Sequence, residues 1–338
     1  MGVHLADILC VSGHDLYITS RDARPNRDNI HYICGNAHNE DFIADLLQHD
    51  WDVIVDFMVY DTDEISKRVN SFLAAAEQYV FLSSARVYAD SELPLTEKSP
   101  RILDVCQDRT YLATHEYALA KARQENLLFN NSRQNWTIVR PYITFSEYRL
   151  QLGVLEKEEW LYRALHGRPI VFSQDIASRR TTLTYGHDVS RGIAALLGQA
   201  TAHGEAFHIT TDETHTWDEI LSVYLRVLSQ TTGKNVESFL TEHSLNLNWN
   251  KYQVTYDRCF NRVFDNQKIC RFIDAKSFTS TLTGLETCLT AFLNKPQFKN
   301  INYAKEAMFD KTCHRFMSFG EFGNLHNLAS YLLHRTIR

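Results

Sequence analysis

Apolar residues in the first 145 positions follow two alternating patterns. Short, nearly continuous apolar runs are typical of strands buried on both faces, and segments with apolar residues every three or four positions are typical of helices that cover a sheet. This alternation of strands and helices predicts a parallel, doubly wound α/β sheet. The predicted strands are 15–20, 30–36, 51–60, 79–88 and 136–144, and the predicted helices are 2–13, 41–50, 62–78 and 116–131.

The pattern changes after about residue 145 and predicts a smaller α+β lobe. Thr216 followed by Glu219 is a capping box that marks the start of one long helix there. The strand predicted at 204–210 belongs with the first sheet. We therefore predict one domain from 1–145, to which 176–212 returns, and a second lobe from 146–175 and 213–338.

Composition narrows the class of protein. The chain has 338 residues, 44% of them hydrophobic, enough for one large or two moderate domains. The net charge of −6 and the scattered basic residues give no electrostatic reason to expect nucleic acid or an anionic membrane as a partner. Seven cysteines without zinc-like spacing, no secretory signal and no long apolar run predict a cytoplasmic protein with reduced thiols and no metal site.

Two hydroxyl side chains, Ser83 and Ser84, close the predicted buried strand in "FLSSARVYAD". Ligands of open parallel sheets bind at the carboxyl ends of the strands, so these hydroxyls are well placed for chemistry. Taken alone, the pattern is more often that of serines that end a strand and turn the chain.

Tyr117 and Lys121 lie one turn apart at the start of the helix "EYALAKARQEN" and so share one helix face. A lysine ammonium near a phenol lowers the phenol's pKa from about 10, and such a tyrosine can exchange a proton with an alcohol near neutral pH. The simpler alternative is a core tyrosine beside a solvated lysine.

The order of these pieces, followed by the strand containing "VRPYI", resembles the extended short-chain dehydrogenase/reductase superfamily, in particular its NAD-dependent nucleotide-sugar epimerase/dehydratase family. The resemblance extends from Met1 to about Asp274 and includes "RTTLTYGHDV" and "FDNQK". It implies a Rossmann-like domain that binds NAD or NADP, a second lobe that holds a nucleotide sugar, and a homodimer.

The resemblance also implies a catalytic triad. Tyr117 would be the acid/base, Lys121 would hold the nicotinamide ribose and lower the pKa of Tyr117, and Ser84 would hydrogen-bond the reacting oxygen. Ser83 is the alternative for that serine and a candidate cofactor contact.

The residues after the serine distinguish the reactions of the family. Its 4,6-dehydratases have Asp-Glu at the positions of Ala85 and Arg86, so this sequence disfavours dehydration and favours an epimerase. A 4-ketoreductase and a Rossmann-like protein that binds without catalysis are the alternatives. RNA binding, which some relatives of the fold show, is disfavoured by the acidic net charge.

Further positions are candidates for binding. Arginine presents a planar fork to phosphate, and the substrate candidates are Arg86, Arg140, Arg180 and Arg258, each of which is alternatively a structural arginine. Ser20-Arg21 ends a strand where an arginine can face the 2′-phosphate of NADP, although Asp22 next to it leaves NAD open. The remaining cofactor candidates are Asn36 near the adenine, and Phe57 and Met58 in the cleft.

The opening "MGVHLADILC" raises a separate expectation. In the resembling family a strand and a Gly-x-x-Gly-x-x-Gly turn precede this helix, and Gly2 matches the third glycine. We therefore expect a chain that begins inside its own cofactor motif, either through a misplaced start codon or through a truncation that weakens dinucleotide binding.

Overall fold

The computed structural model describes residues 1–247 and 250–337. The strands are β1 (Leu16–Ser20), β2 (Ile30–Cys34), β3 (Trp51–Asp56), β4 (Ala76–Leu82), β5 (Trp136–Pro141), β6 (Ile143–Phe145), β7 (Ile170–Ser173), β8 (Arg180–Thr181), β9 (Leu183–Tyr185), β10 (Glu205–Ile209), β11 (His215–Thr216) and β12 (Ser238–Thr241). The helices are α1 (Gly2–Val11), α2 (Glu40–Leu46), α3 (Thr62–Ala74), α4 (Ile102–Val105), α5 (Arg109–Leu112), α6 (Tyr117–Phe129), α7 (Lys157–Leu165), α8 (Gln174–Ala177), α9 (Gly186–Leu196), α10 (Trp217–Thr232), α11 (Lys251–Gln253), α12 (Thr281–Asn294), α13 (Tyr303–Thr312) and α14 (Leu325–Ile337).

The predicted parallel α/β architecture is confirmed. Strands β10, β5, β4 and β3 form a four-stranded parallel sheet in that order, and β1 pairs with β2 in a separate parallel pair. The two sheets are not hydrogen-bonded to each other, but the rings of Tyr17 on β1 and Trp51 on β3 meet edge to face, with centroids 5.2 Å apart.

The period-2 alternation of β4 explains why helices cover both faces of the sheet. Val80 and Leu82 point to one face, where they pack in a cluster with residues of α1 and α9. Tyr79 and Phe81 point to the other face and pack with residues of α3 and α6. Consecutive residues at the end of β4 therefore face different layers, which decides how the two serines that follow are placed.

The ends of several predicted elements differ from the structure, and those on either side of β4 bear on the candidate site. The helix predicted to reach residue 78 ends at Ala74, because β4 begins at Ala76. The strand predicted to run to residue 88 ends at Leu82. There the Ser84 hydroxyl accepts the Arg86 N–H at 3.2 Å and turns the chain into a short 3₁₀ helix at Ala85–Val87.

The chain after residue 145 contributes to both layers of the molecule. Within 176–212, α9 packs on α1 and β10 extends the main sheet beside β5. A second, larger core gathers residues of α7, α10 and α12 around the pairs β6–β9 and β7–β12. The capping box predicted at the start of α10 is present, with Thr216 and Glu219 each accepting the other's backbone N–H.

Among the described residues, no helix has the length and apolar content needed to cross a bilayer.

Candidate active site

A cleft opens at the carboxyl ends of β3, β4 and β5. The empty space in it is about 870 Å³ when the part that is open to solvent is counted. The wall nearest the sheet carries Phe57, Met58, Ser83, Ser84, Tyr117 and Lys121. The structure therefore brings all three residues of the predicted triad to one wall of one cavity.

The two serines have different partners because successive residues of an extended strand point to opposite sides. Ser83 is 3% exposed, and its hydroxyl donates to Glu125 Oε1 at 2.6 Å. Ser84 instead lines the cleft with Tyr117, where its hydroxyl accepts the Arg86 N–H and lowers the pKa of the Tyr117 phenol. The geometry favours Ser84 as the serine beside the reacting atoms, and Ser83 as a residue that ties β4 to α6.

Tyr117 is the first residue of α6, and the preceding Glu116 caps that helix by accepting the Ala118 N–H at 2.7 Å. Tyr117 is 38% exposed, and its partial burial raises its pKa above the usual value, while Arg86 and the Ser84 hydroxyl lower it. The sequence led us to expect a lowered pKa caused by Lys121. The protein instead has desolvation as the dominant effect, and Arg86 is the largest influence in the opposite direction.

Lys121 lies one turn further along α6 and is 2% exposed. Its Nζ donates to the carbonyl of Leu82 at 2.8 Å, the one hydrogen bond it makes within the described part of the chain. Burial lowers its pKa to about 8, although Asp56 and Glu125 act in the opposite direction. A lysine ammonium has three donors, so donors remain for a ligand in the cleft.

Two buried carboxylates behind Lys121 were not predicted. Asp56 ends β3 and accepts the Tyr79 hydroxyl at 2.8 Å, and burial raises its pKa. Glu125 is fully buried and follows Lys121 by one further turn of α6. The helical spacing from Lys121, and an acid at the end of an apolar strand, are the signals that could have found them.

The four candidate arginines separate into two groups. Arg86 and Arg258 line the cleft. Arg140 does not line it: its guanidinium forms two bonds of 2.7 Å with Glu125 inside the core. Arg180 lies on the surface between β8 and β11, bonded to Thr214, and is likewise outside the cleft. The cleft also contains Arg149, which no feature of the sequence had singled out.

The candidate cofactor contacts lie at the carboxyl ends of their strands. Phe57 and Met58 line the cleft, and Gly2 begins α1 beside the Phe57 ring. Ser20 and Asn36 each bond the backbone two residues further on, and Arg21 is exposed at the end of β1. These last three residues are outside the cavity that holds Tyr117.

The groups that face the cleft suit a dinucleotide. A buried lysine with free donors faces it, and the N-terminal end of α1, where backbone N–H groups favour an anion, lies at its rim beside Met1. No three or more His, Cys, Asp or Glu side chains in the described residues are grouped so that they could hold a metal ion.

A parallel sheet with helices on both faces, and a Ser, a Tyr and a Lys at its carboxyl edge, define a Rossmann-like protein of the short-chain dehydrogenase/reductase type. The sequence matches the NAD dependent epimerase/dehydratase family over residues 1–210, and the chain belongs to that family.

Individual proteins similar to the chain are distant in sequence. Chloroplast stem-loop binding protein of 41 kDa b from Arabidopsis thaliana is 25% identical over 235 residues, which is 64% of this chain and 58% of that protein, so the chain spans less than two thirds of its length. Epimerase Mth375 from Methanothermobacter thermautotrophicus superposes with a TM-score of 0.65 at 18% identity, covering 86% of this chain and 88% of that one. UDP-glucuronic acid 4-epimerase from Bacillus cereus, solved with UDP-glucuronic acid and NAD, gives 0.63 at 17% identity, covering 86% and 95%.

Proposed function

We propose that this protein is an NAD(P)-dependent nucleotide-sugar epimerase. The observation that carries the proposal is the meeting of Ser84, Tyr117 and Lys121 on one wall of a cleft at the carboxyl edge of the sheet. The solved epimerase from Bacillus cereus, which holds UDP-glucuronic acid and NAD on a similar fold, supports it.

The residues that would hold the dinucleotide follow from their positions. Lys121 offers its remaining donors to the nicotinamide ribose, Phe57 and Met58 provide the apolar wall, and the start of α1 at Gly2 faces the phosphates. Ser20, Arg21 and Asn36 are the candidates on the adenosine side. When bound, the dinucleotide supplies the acceptor and donor of hydride.

The chain's own residues move the proton. Tyr117 takes the proton of a sugar hydroxyl as that carbon is oxidised to a ketone, and it returns a proton when the carbon is reduced from the other face. Ser84 hydrogen-bonds the same oxygen and holds it against the phenol. Arg86 lies over the Tyr117 ring, with Cζ 5.4 Å from the centroid, and favours the phenolate that the first step requires.

One observation favours epimerisation over 4,6-dehydration. Ala85 and Arg86 stand where elimination would need acids, and a buried alanine offers no proton donor. The balance of the cofactor distinguishes an epimerase from a 4-ketoreductase. An epimerase regenerates its cofactor in each cycle, whereas a 4-ketoreductase consumes one reduced dinucleotide per turnover.

The experiment measures epimer formation and the amount of reduced nicotinamide in the same reaction. The purified chain is incubated with UDP-glucuronic acid and with UDP-glucose at a substoichiometric amount of NAD, and the epimers are separated by chromatography while absorbance follows the reduced nicotinamide. Epimer formation over many turnovers supports the proposal, and Tyr117→Phe is the inactive control. Formation of one NADH per sugar oxidised to the keto form, without epimer, would show a ketoreductase working in reverse. Tight dinucleotide binding without product would show a binding protein.

RNA binding is the second candidate, favoured by the name of the Arabidopsis thaliana relative. The net charge of −6 opposes it, because neutralising phosphates is the main source of affinity for RNA. A gel-shift titration with an RNA stem-loop at physiological salt distinguishes the two, since an epimerase of this charge is expected to leave the RNA unshifted at micromolar protein.

A further inference from the structure

Three arginines line the cleft beside the proposed acid/base. Arg86 stacks on the ring of Tyr117, and Arg258 and Arg149 complete the group. Arg258 is 3% exposed, the Arg86 side chain is 13% exposed, and only Arg149 reaches well into solvent. Two guanidinium groups are therefore held out of water next to the atoms that the proposed reaction uses.

The carboxylates in direct contact with this group are fewer than the guanidinium groups. Asp257 faces Arg86 at 3.5 Å, is in contact with Arg258, and faces Arg262 at 3.0 Å. Glu116 holds the other end of Arg86 at 2.6 Å. Glu156 faces Arg149 at 3.7 Å. Three carboxylates thus contact four guanidinium groups, those of Arg86, Arg149, Arg258 and Arg262, which leaves one positive charge in excess.

The neighbouring guanidinium groups oppose the charge of Arg258. Burial lowers the pKa of its guanidinium, and Arg86 and Arg149 lower it further by repulsion, whereas the Tyr142 hydroxyl raises the pKa of Arg258. The Arg86 Nε is also buried and makes no hydrogen bond among the described residues, since the Asp257 carboxylate that it faces is 3.5 Å away. Buried like charges and an unmatched donor are costly, and an anionic ligand in the cleft would relieve both.

We infer that the sugar of the substrate itself carries a carboxylate, which binds to Arg86 and Arg258 beside Tyr117. The inference rests on the proposed function and specifies its substrate class as a nucleotide-activated uronic acid. In a pyranose oxidised at C4, a C5 carboxylate is two bonds from the reacting carbon, whereas the diphosphate is attached at C1 on the opposite side of the ring. A guanidinium stacked on Tyr117 therefore reaches the carboxylate rather than the diphosphate.

The remaining cleft residues fit this arrangement. Gln151 lies within 3.5 Å of the Arg258 guanidinium, and the Tyr142 hydroxyl lies between Arg258 and Asp257, at 3.3 Å and 3.2 Å. These groups fix Arg258 in place, and Glu116 and Asp257 fix Arg86 from two sides. The anion site is therefore preorganised, which reduces the entropy lost when a ligand binds.

The test compares two ligands that differ only in the carboxylate. Calorimetric dissociation constants are measured for UDP-glucuronic acid and UDP-glucose, with NAD present at saturation. A charge-assisted contact predicts that the wild-type chain prefers the acid by about tenfold to hundredfold. This first measurement needs no variant, so it does not depend on whether a substituted chain folds.

The variant Arg86→Met is expected to reduce the preference to within about threefold, by weakening the acid and leaving the neutral sugar nearly unchanged. Arg226→Met removes an exposed arginine paired with Glu286 on α12 and is the matched control, which is expected to keep the full preference. Thermal melting of each variant checks that it is folded.

Equal dissociation constants in the wild type, or an undiminished preference in folded Arg86→Met, would overturn this inference and leave the proposed epimerase standing. Binding of neither ligand at millimolar concentration would overturn the proposed function itself, and this inference with it.

Discussion

Replacing Arg140 by methionine tests whether this arginine stabilises the core or binds the substrate. The sequence made Arg140 a candidate for binding substrate phosphate, whereas the protein holds it in the core against Glu125. Both side chains are at most 2% exposed, and the two guanidinium–carboxylate bonds are 2.7 Å long. Further bonds join the Arg140 guanidinium to the Tyr88 hydroxyl at 3.0 Å and the Glu97 carbonyl at 3.3 Å.

The expected loss of stability follows from these contacts. Removing one partner of a buried pair costs about 3–5 kcal/mol when the remaining charge is uncompensated. Arg101 still contacts Glu125 at 3.3 Å, which places the loss toward the lower end of that range. Two hydrogen bonds to a charged group, at about 1.5–3 kcal/mol each, give a similar range of about 3–6 kcal/mol. We therefore expect Arg140→Met to lower the free energy of unfolding by about 3–5 kcal/mol, while the dissociation constant for a nucleotide sugar stays within about twofold, a change below about 0.5 kcal/mol.

The assay is urea unfolding followed by circular dichroism, with calorimetric binding at a temperature where each variant is folded. The double variant Arg140→Met/Glu125→Gln removes both charges and is expected to recover part of the lost stability. A chain that keeps its stability but loses affinity for the nucleotide sugar by about tenfold or more would refute the placement and return Arg140 to the substrate.

Three further predictions concern the site and one helix. Tyr117→Phe is expected to reduce kcat by about 10²–10⁴-fold with unchanged dinucleotide affinity, and a similar loss of affinity would contradict a role confined to proton transfer. Lys121 has its pKa lowered from 10.5 to about 8, so the unfolded chain binds this proton more tightly and the free energy of unfolding rises from pH 8 to 10.5. The rise at this residue amounts to about 3 kcal/mol. It is measured by subtracting the free energy of unfolding of Lys121→Met from that of the wild type at each pH. A difference that does not change with pH would contradict the burial of the Lys121 charge. Thr216→Ala removes one half of the α10 capping box and should lower the free energy of unfolding by about 1 kcal/mol without changing turnover. Its matched control is Thr287→Ala on the exposed side of α12, which caps no helix, and equal losses in the two variants would contradict the capping role.

The strands and helices of the first domain could be predicted from the sequence because they depend on the spacing of apolar residues. The runs at "DLYITS" and "WDVIVDFMVY" became β1 and β3, and the helical spacing before Gly13 became α1. The ends were less predictable, because Ser84 stops β4 with a side-chain bond to the backbone rather than with a change in hydrophobicity.

The sequence indicated which residues form the candidate site, but not which partners they contact or how their pKa values shift. Tyr117 and Lys121 share a helix face by local geometry, and their position at the carboxyl edge follows from the parallel sheet. The choice between Ser83 and Ser84 remained open, because which side of the strand faces Glu125 depends on where α6 packs. The direction of the Tyr117 pKa shift was also beyond the sequence, since it depends on how much water the cleft excludes.

The sequence by itself determined the order of strands and helices, the family and the residues able to carry out acid/base chemistry, since these depend on periodicity and on motifs within a few turns of chain. Only the tertiary structure decided the roles of the arginines. Arg140 is buried against Glu125, whereas Arg86 and Arg258 meet across the cleft at Asp257. The physical reason is that a charge takes its function from the charges and solvent within a few ångströms, and folding brings those neighbours from distant parts of the chain.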